Sequence, residues 1–190
     1  MKLPPLILAS ASPRRAELLR QLQPEFKIVP SDAEEIADGH LSPQELCRIN
    51  AHRKARAVAK KIPDALVLGA DTLVFLGAEI LGKPRDLDDA RRMLARLQGR
   101  THQVVTGVCL IHLHGRRERL FAVSTDVTFR SLTASQIGNY LSKMNPLDKA
   151  GAYAIQEHGN LIVSEISGSF SNVVGLPVER VGEELTAWAK

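Results

Sequence analysis

"ALVLGADTLVFLG", residues 65–77, is the most apolar run in this chain of 190 residues. It reads as a central strand buried on both faces, the pattern of a strand inside a parallel sheet. One residue conflicts with that environment. Asp71 stands in the middle of the run, where an unpaired carboxylate would cost several kcal/mol. It must meet a cation, hydrogen-bond donors or a metal, or else mark a point where the strand opens on a cleft.

Outward from this run, helical and extended patterns mix throughout. Upstream, residues 6–8 form a short apolar strand, and Ser12 with Pro13 reads as the N-cap and first position of a helix carrying Ala16, Leu18, Leu19 and Leu22. Residues 26–29 alternate as a second strand, and Ser42-Pro43-Gln44-Glu45 opens a helix by a capping box, with Leu46, Ile49, Ala55 and Val58 on its apolar side. Downstream, residues 76–84 suggest a small hairpin or loop returning Lys83 toward Asp71. Asp86 caps a helix whose buried side is Leu87, Ala90, Leu94 and Leu97, with Gly99 beyond its end. Residues 101–113 and 120–129 read as an antiparallel hairpin across a charged turn, and Thr133 with Gln136 caps a helix bearing Ile137, Tyr140 and Leu141. Residues 148–159 are a Gly-rich loop, 161–166 a strand and 168–175 loop. Pro177 starts a last helix with Val178, Val181, Leu185 and Trp188 apolar. The expected fold is α/β, a single domain over residues 1–190, with a mixed, strongly twisted sheet flanked by helices and a cleft between two lobes.

Hydrophobic residues make up 44% and charged residues 24%, ordinary globular usage that argues against disorder. Lys plus Arg number 25 against 21 Asp plus Glu, a net charge of +4 that suits a polyanionic ligand. Aromatic residues, at 4%, are too sparse for a base-stacking platform, so no nucleic-acid partner is expected. Cys47 and Cys109 have no metal-like spacing and support no disulfide framework. Met1-Lys2 leads straight into a brief apolar strand with Pro4 and Pro5, too short for a signal sequence, and no run spans a membrane; a cytoplasmic location is expected.

The chemistry concentrates at element ends. Arg14 and Arg15 occupy the first turn of a helix, where the macrodipole disfavours cations by roughly 0.3–1 kcal/mol each. A bound phosphate reverses that sign, and Ser10 and Ser12 supply hydroxyls beside the arginine forks; the bland alternative is a solvated pair, one arginine bridging to Glu17. The basic residues between Arg48 and Lys61 are mostly a solvated helix face, although one can point into a site. Histidines offer no metal spacing: His112 and His114 share a strand face but lack a third ligand. Ser10, Ser12, Arg14, Arg15, Glu35, Lys54, Asp71, Lys83, Lys149 and Gln156 together describe phosphoanhydride chemistry: carboxylates to hold a divalent cation, cations to neutralise a triphosphate, and a carboxylate to deprotonate water. A rival reading takes the basic helix, residues 48–61, as the contact surface of a nucleic-acid-binding or division-regulatory module without hydrolysis.

With "LASASPRRAELL" (8–19), "GADTLV" (69–74), "LGKP" (81–84), "DKAGAYAIQ" (148–156) and "NVVGLP" (172–177) in this order, the chain resembles the Maf-type nucleotide pyrophosphatases. The resemblance implies an elongated α/β fold with a central cleft, and hydrolysis of a nucleoside triphosphate to its monophosphate and pyrophosphate with Mg²⁺, Mn²⁺ or Co²⁺. It implies phosphate-binding roles for Ser10, Ser12, Arg14 and Arg15, a catalytic and metal-binding role for Asp71, and cleft roles for Glu35 (or its neighbour Glu34), Lys54 and Lys83. Arg14, Thr72 and Gln156 match the branch acting on dTTP and UTP, rather than the branch preferring 7-methyl-GTP; a purine-directed enzyme of related fold is the alternative. The amide of Gln156 can pair with the O4 and N3–H edge of thymine or uracil. Where the family commonly continues Ile-Gln-Gly, this chain has Ile155-Gln156-Glu157-His158, which bears on the choice among dTTP, UTP, CTP and modified pyrimidines. A homodimer is in keeping with the family.

Overall fold

A computed structural model describes residues 3–36 and 38–189; the Met1-Lys2 lead lies outside them. The element order is β1 (Leu6–Leu8), α1 (Pro13–Leu22), β2 (Lys27–Ile28), α2 (Pro43–Lys61), β3 (Leu66–Leu76), β4 (Glu79–Leu81), α3 (Leu87–Leu97), β5 (Thr101–His112), β6 (Arg117–Phe129), α4 (Ala134–Leu141), β7 (Val163–Ser167), α5 (Phe170–Val174) and α6 (Val178–Trp188). Single 3₁₀ turns at Ala150–Ala152 and Gly159–Leu161 lie between α4 and β7. The strands form one mixed sheet of seven in the order β2-β1-β3-β5-β6-β7, with β4 attached to β3. β1 runs parallel to both β2 and β3, so the apolar run of residues 65–77 does lie against a parallel neighbour. The β3–β4 and β6–β7 pairs are antiparallel.

Local chemistry explains the helix starts. Ser12 Oγ accepts the Arg15 N–H at 3.5 Å. Ser42 with Glu45, and Thr133 with Gln136, form complete capping boxes. Asp86 Oδ1 accepts the Asp89 N–H at 2.7 Å.

The chain divides into two compact units, one comprising residues 1–71, 106–123 and 175–190, the other residues 72–105 and 124–174. In the first, α2 lies on the sheet with Ala51, Ala55 and Val58 against Ile7, Val67, Cys109 and Ile111. Two glycines allow its close approach. A Cβ on Gly69 would stand 2.6 Å from Ala51 O, and one on Gly107 would stand 2.2 Å from Cys47 O. The second unit is built around Leu94 and Leu97 of α3, Tyr140 of α4, Val104, Val127, Phe129, Tyr153 and Ile162.

Several expectations are corrected. Residues 168–175 are not all loop, because Ser169 Oγ accepts the Asn172 N–H at 3.1 Å and so caps the five-residue helix α5, too short to show a period. Leu87 is 48% exposed, since burial of its helix face begins one turn later at Ala90. Leu161 belongs to a 3₁₀ turn, and the strand starts at Val163. β6 begins at Arg117, three residues early, where its guanidinium lies 4.7 Å over the Trp188 ring and Nη1 donates to Trp188 O at 3.1 Å. Residues 26–29 narrow to the two-residue edge strand β2.

His102 sits in the second unit's core, its ring edge-on to both Phe129 and Tyr153. Its Nε2 is 2.8 Å from Tyr153 Oη, while Nδ1 is buried without a hydrogen-bond partner. Burial pushes its pKa down from 6.5 to about 4. Between those values the unfolded chain binds a proton that the native one refuses, so stability falls as pH drops from 6.5 to 4. The expected loss is about 3 kcal/mol across that window. Denaturant midpoints measured from pH 7 to pH 4 should show this slope, and His102→Gln should flatten it; an equal slope in both proteins rules the assignment out.

Candidate active site

The first unit assembles its charged residues around Asp71. This carboxylate is buried at 3% exposure in the middle of β3. Its Oδ1 accepts from Lys54 Nζ at 2.6 Å, and its Oδ2 accepts from Asn50 Nδ2 at 3.2 Å. The conflict posed by an acid in an apolar run is thus resolved by a cation and an amide from α2, which the glycine contacts bring down onto the strand. Lys54 Nζ also donates to Glu35 Oε1 at 2.6 Å, so one ammonium bridges two carboxylates. Glu35 is the acid that reaches Lys54; Glu34 contributes its carbonyl, which accepts from Arg53 Nε at 3.0 Å.

Asn50 was not among the residues singled out from sequence. It holds Ile36 at both backbone atoms, accepting from its N–H at 2.9 Å and donating to its carbonyl at 3.1 Å. It therefore positions the segment carrying Glu35 relative to Asp71. A signal existed: among the fully buried positions of α2 Asn50 is the one with a polar amide, four places after Leu46 and three after Cys47.

The start of α1 supplies the other half. Ser10 Oγ accepts from the Ser12 N–H and from Arg15 Nη1, both at 3.2 Å. Arg15 Nε donates to Gly175 O at 2.9 Å, fixing the guanidinium from a residue far along the chain. Desolvation lowers the Arg15 pKa, while the charges of Asp71 and Glu35 oppose that shift and Arg14 adds to it. Those couplings put Arg15 in the electrostatic field of both acids, with Arg14 close enough to Arg15 to oppose its charge. Lys54 and Arg15 thus stand with the carboxylates Glu35 and Asp71, and Arg14 in the same helical turn as Arg15 adds a further positive charge nearby.

The second unit holds the remaining candidates. Thr72 follows Asp71 on β3 and so occupies the opposite pleat face. Lys83 is exposed in the loop between β4 and α3, whose Gly82 carbonyl accepts the Gly151 N–H at 3.0 Å. Gln156 is exposed on a turn after the first 3₁₀ element. Lys149 is 6% exposed and donates to Asn145 O at 2.7 Å and Asp148 Oδ1 at 2.8 Å. Its Nζ also stands 3.5 Å from Glu157 Oε1, so the acid that departs from the family pattern pairs with a buried ammonium.

Among the described residues no three His, Cys, Asp or Glu side chains cluster as a metal cage. Asp71 and Glu35 are nevertheless a donor set of the kind Mg²⁺ uses, with one or two carboxylates and the rest of the shell taken from substrate phosphates and water.

The Maf-like protein family model matches residues 5–188. The chain belongs to the Maf family. Maf relatives with assigned names are similar over nearly their whole length. A dTTP/UTP pyrophosphatase of Akkermansia muciniphila is 50% identical over 94% of this chain and 94% of its own. One from Moorella thermoacetica is 52% identical over 96% and 93%, respectively. Another, from Bacillus velezensis, is 50% identical over 92% of each. The fold expectation holds for this Maf chain in its mixed seven-stranded sheet flanked by helices. No helix among the described residues is long and apolar enough to cross a membrane.

Proposed function

We propose that this chain is a nucleoside triphosphate pyrophosphatase that hydrolyses dTTP and UTP to the monophosphate and pyrophosphate. The observation that carries the reading is the buried Asp71 carboxylate, held by Lys54 and Asn50 beside Arg15 and Glu35 in a chain half identical to dTTP/UTP pyrophosphatases. Each Asp71 oxygen accepts one hydrogen bond from the protein and keeps a further lone pair, enough to take a proton from a water attacking the α-phosphorus. The α–β anhydride bond breaks and pyrophosphate leaves. Arg14, Arg15 and Lys54 balance the charge on the phosphate oxygens, with Ser10 and Ser12 shaping the turn that presents the arginines. Glu35 and Asp71 would hold a divalent cation, which when bound neutralises phosphate charge. In the second unit the family resemblance carries the assignments: Thr72 and Lys83 contact substrate, and Gln156 pairs with the O4 and N3–H edge of the base. Cys47 and Cys109 are both buried and neither is in a disulfide, which accords with a reducing, cytoplasmic setting.

The test is pyrophosphate release from canonical and modified nucleoside triphosphates with Mg²⁺ or Mn²⁺. Release from dTTP and UTP above the other nucleotides is the expected result, and silence across the panel overturns the reading. In the same assay Arg14→Ala should raise KM by about 10- to 100-fold, the worth of a charged hydrogen bond, with kcat within a few-fold of the parent. Unchanged kinetics would remove Arg14 from phosphate binding.

A further inference from the structure

The segment from Ala154 to Glu157 is a reverse turn, closed by the Glu157 N–H donating to Ala154 O at 3.3 Å. Ile155 and Gln156 hold its two central positions and go opposite ways: Ile155 packs on the core of the second unit, and Gln156 is exposed. The base of this turn is gripped by a phenol. Tyr140, fully buried on α4, donates its hydroxyl to Ala154 O at 3.1 Å and accepts the Ala154 N–H at 3.0 Å. One oxygen thus holds both polar backbone atoms of the residue two places before Gln156. Burial pushes the phenol up to about 12, so the donated proton stays in place at any ordinary assay pH.

This grip matters because a glutamine amide alone cannot tell uracil from hypoxanthine or guanine. All three bases present a carbonyl acceptor next to an N–H donor, and they differ in how far that pair lies from the sugar. Discrimination therefore requires that the amide be held at a set distance. We propose that Tyr140 is the positioning residue for Gln156 and supplies the distance criterion by which pyrimidine triphosphates are preferred over purine triphosphates with the same hydrogen-bond edge. The inference rests on the reading of Gln156 as the base-contacting residue.

The experiment compares the parent, Tyr140→Phe, Gln156→Ala and the double variant on UTP and inosine triphosphate, together with amide exchange at Ala154 and Glu157. Tyr140→Phe should speed exchange at both amides and raise KM for UTP while kcat stays within a few-fold. The UTP-over-inosine-triphosphate ratio of kcat/KM should fall roughly tenfold, equivalent to 1.4 kcal/mol. The double variant should show the same ratio as Gln156→Ala, since the two residues act through one contact. Should Tyr140→Phe prove too unstable to assay, Ile155→Ala loosens the same turn from its apolar side and should lower the ratio likewise. An intact ratio in Tyr140→Phe beside a collapsed one in Gln156→Ala overturns the role of Tyr140 and leaves the base reading standing. An intact ratio in Gln156→Ala overturns the base reading, and the inference with it. Equal losses of kcat on both substrates with the ratio unmoved, or unchanged exchange, would reduce Tyr140 to a structural residue.

Discussion

Replacing Asp71 by asparagine is expected to lower kcat for pyrophosphate release by about 10²- to 10⁴-fold, the usual worth of a general base. The substitution keeps the shape of the side chain and changes which atoms accept. In the parent both carboxylate oxygens are acceptors, one for Lys54 Nζ and the other for Asn50 Nδ2. Asparagine offers one oxygen and one NH₂, so one of these two donors must face another donor in a buried site. Leaving a buried group unsatisfied costs about 1–3 kcal/mol. The variant should therefore melt a few degrees lower as well as turn over slowly, by roughly 2–4 °C per kcal/mol for a chain of this size. Steady-state kinetics and a melting curve on one preparation separate the two effects: KM should change less than kcat, because the arginine contacts remain. Parent-like turnover in Asp71→Asn would end the assignment of Asp71 as base.

Gly107→Ala should be the most damaging small change in the first unit. The added methyl would meet Cys47 O at 2.2 Å, Cys47 C at 2.3 Å and Arg48 N at 2.6 Å, all backbone atoms of α2 that no rotamer change can move. The helix must lift from the sheet, and overpacking of this kind costs typically about 1–3 kcal/mol or more. Lys54 and Asn50 ride on that helix. A displacement of about 1 Å at a reacting centre costs on the order of 10²-fold in rate, so folded Gly107→Ala should lose activity in addition to stability. Gly138→Ala is the control: its methyl meets nothing within 4 Å on α4 and should stabilise by up to about 1 kcal/mol. If Gly107→Ala melts and turns over like the parent, the close approach of α2 is not what holds the site.

What was legible in the sequence is what depends on near neighbours. Ser12, Ser42, Asp86 and Thr133 were readable as caps because each bonds to a backbone N–H three residues on. Asp71 was conspicuous because its own strand could not satisfy it. Lys54 is the member of the basic helix that points inward, and its two acids lie on segments 17 and 19 residues away. Contacts between distant segments left no such mark. Arg15 is steadied by Gly175, 160 positions later, and nothing in either neighbourhood announces the pairing. Tyr140 read only as an apolar helix position, since its hydroxyl partner is set by how a loop folds back. The residues of α5 are too few to show a period, and Asn50 shows how one polar residue on a buried helix face can mark a site.

The loop that delivers Glu35 is fastened along α2 at graded depth. At its outer end Lys61 Nζ bonds Asp32 Oδ2 at 3.0 Å, with both side chains more than half exposed. At its inner end the grip is the neutral pair of bonds between Asn50 and Ile36. Dissolved salt weakens the former and barely touches the latter. Rising ionic strength should therefore loosen the Asp32 contact while the Ile36 anchor persists, so the loop softens at its solvent side and stays fixed beside Asp71.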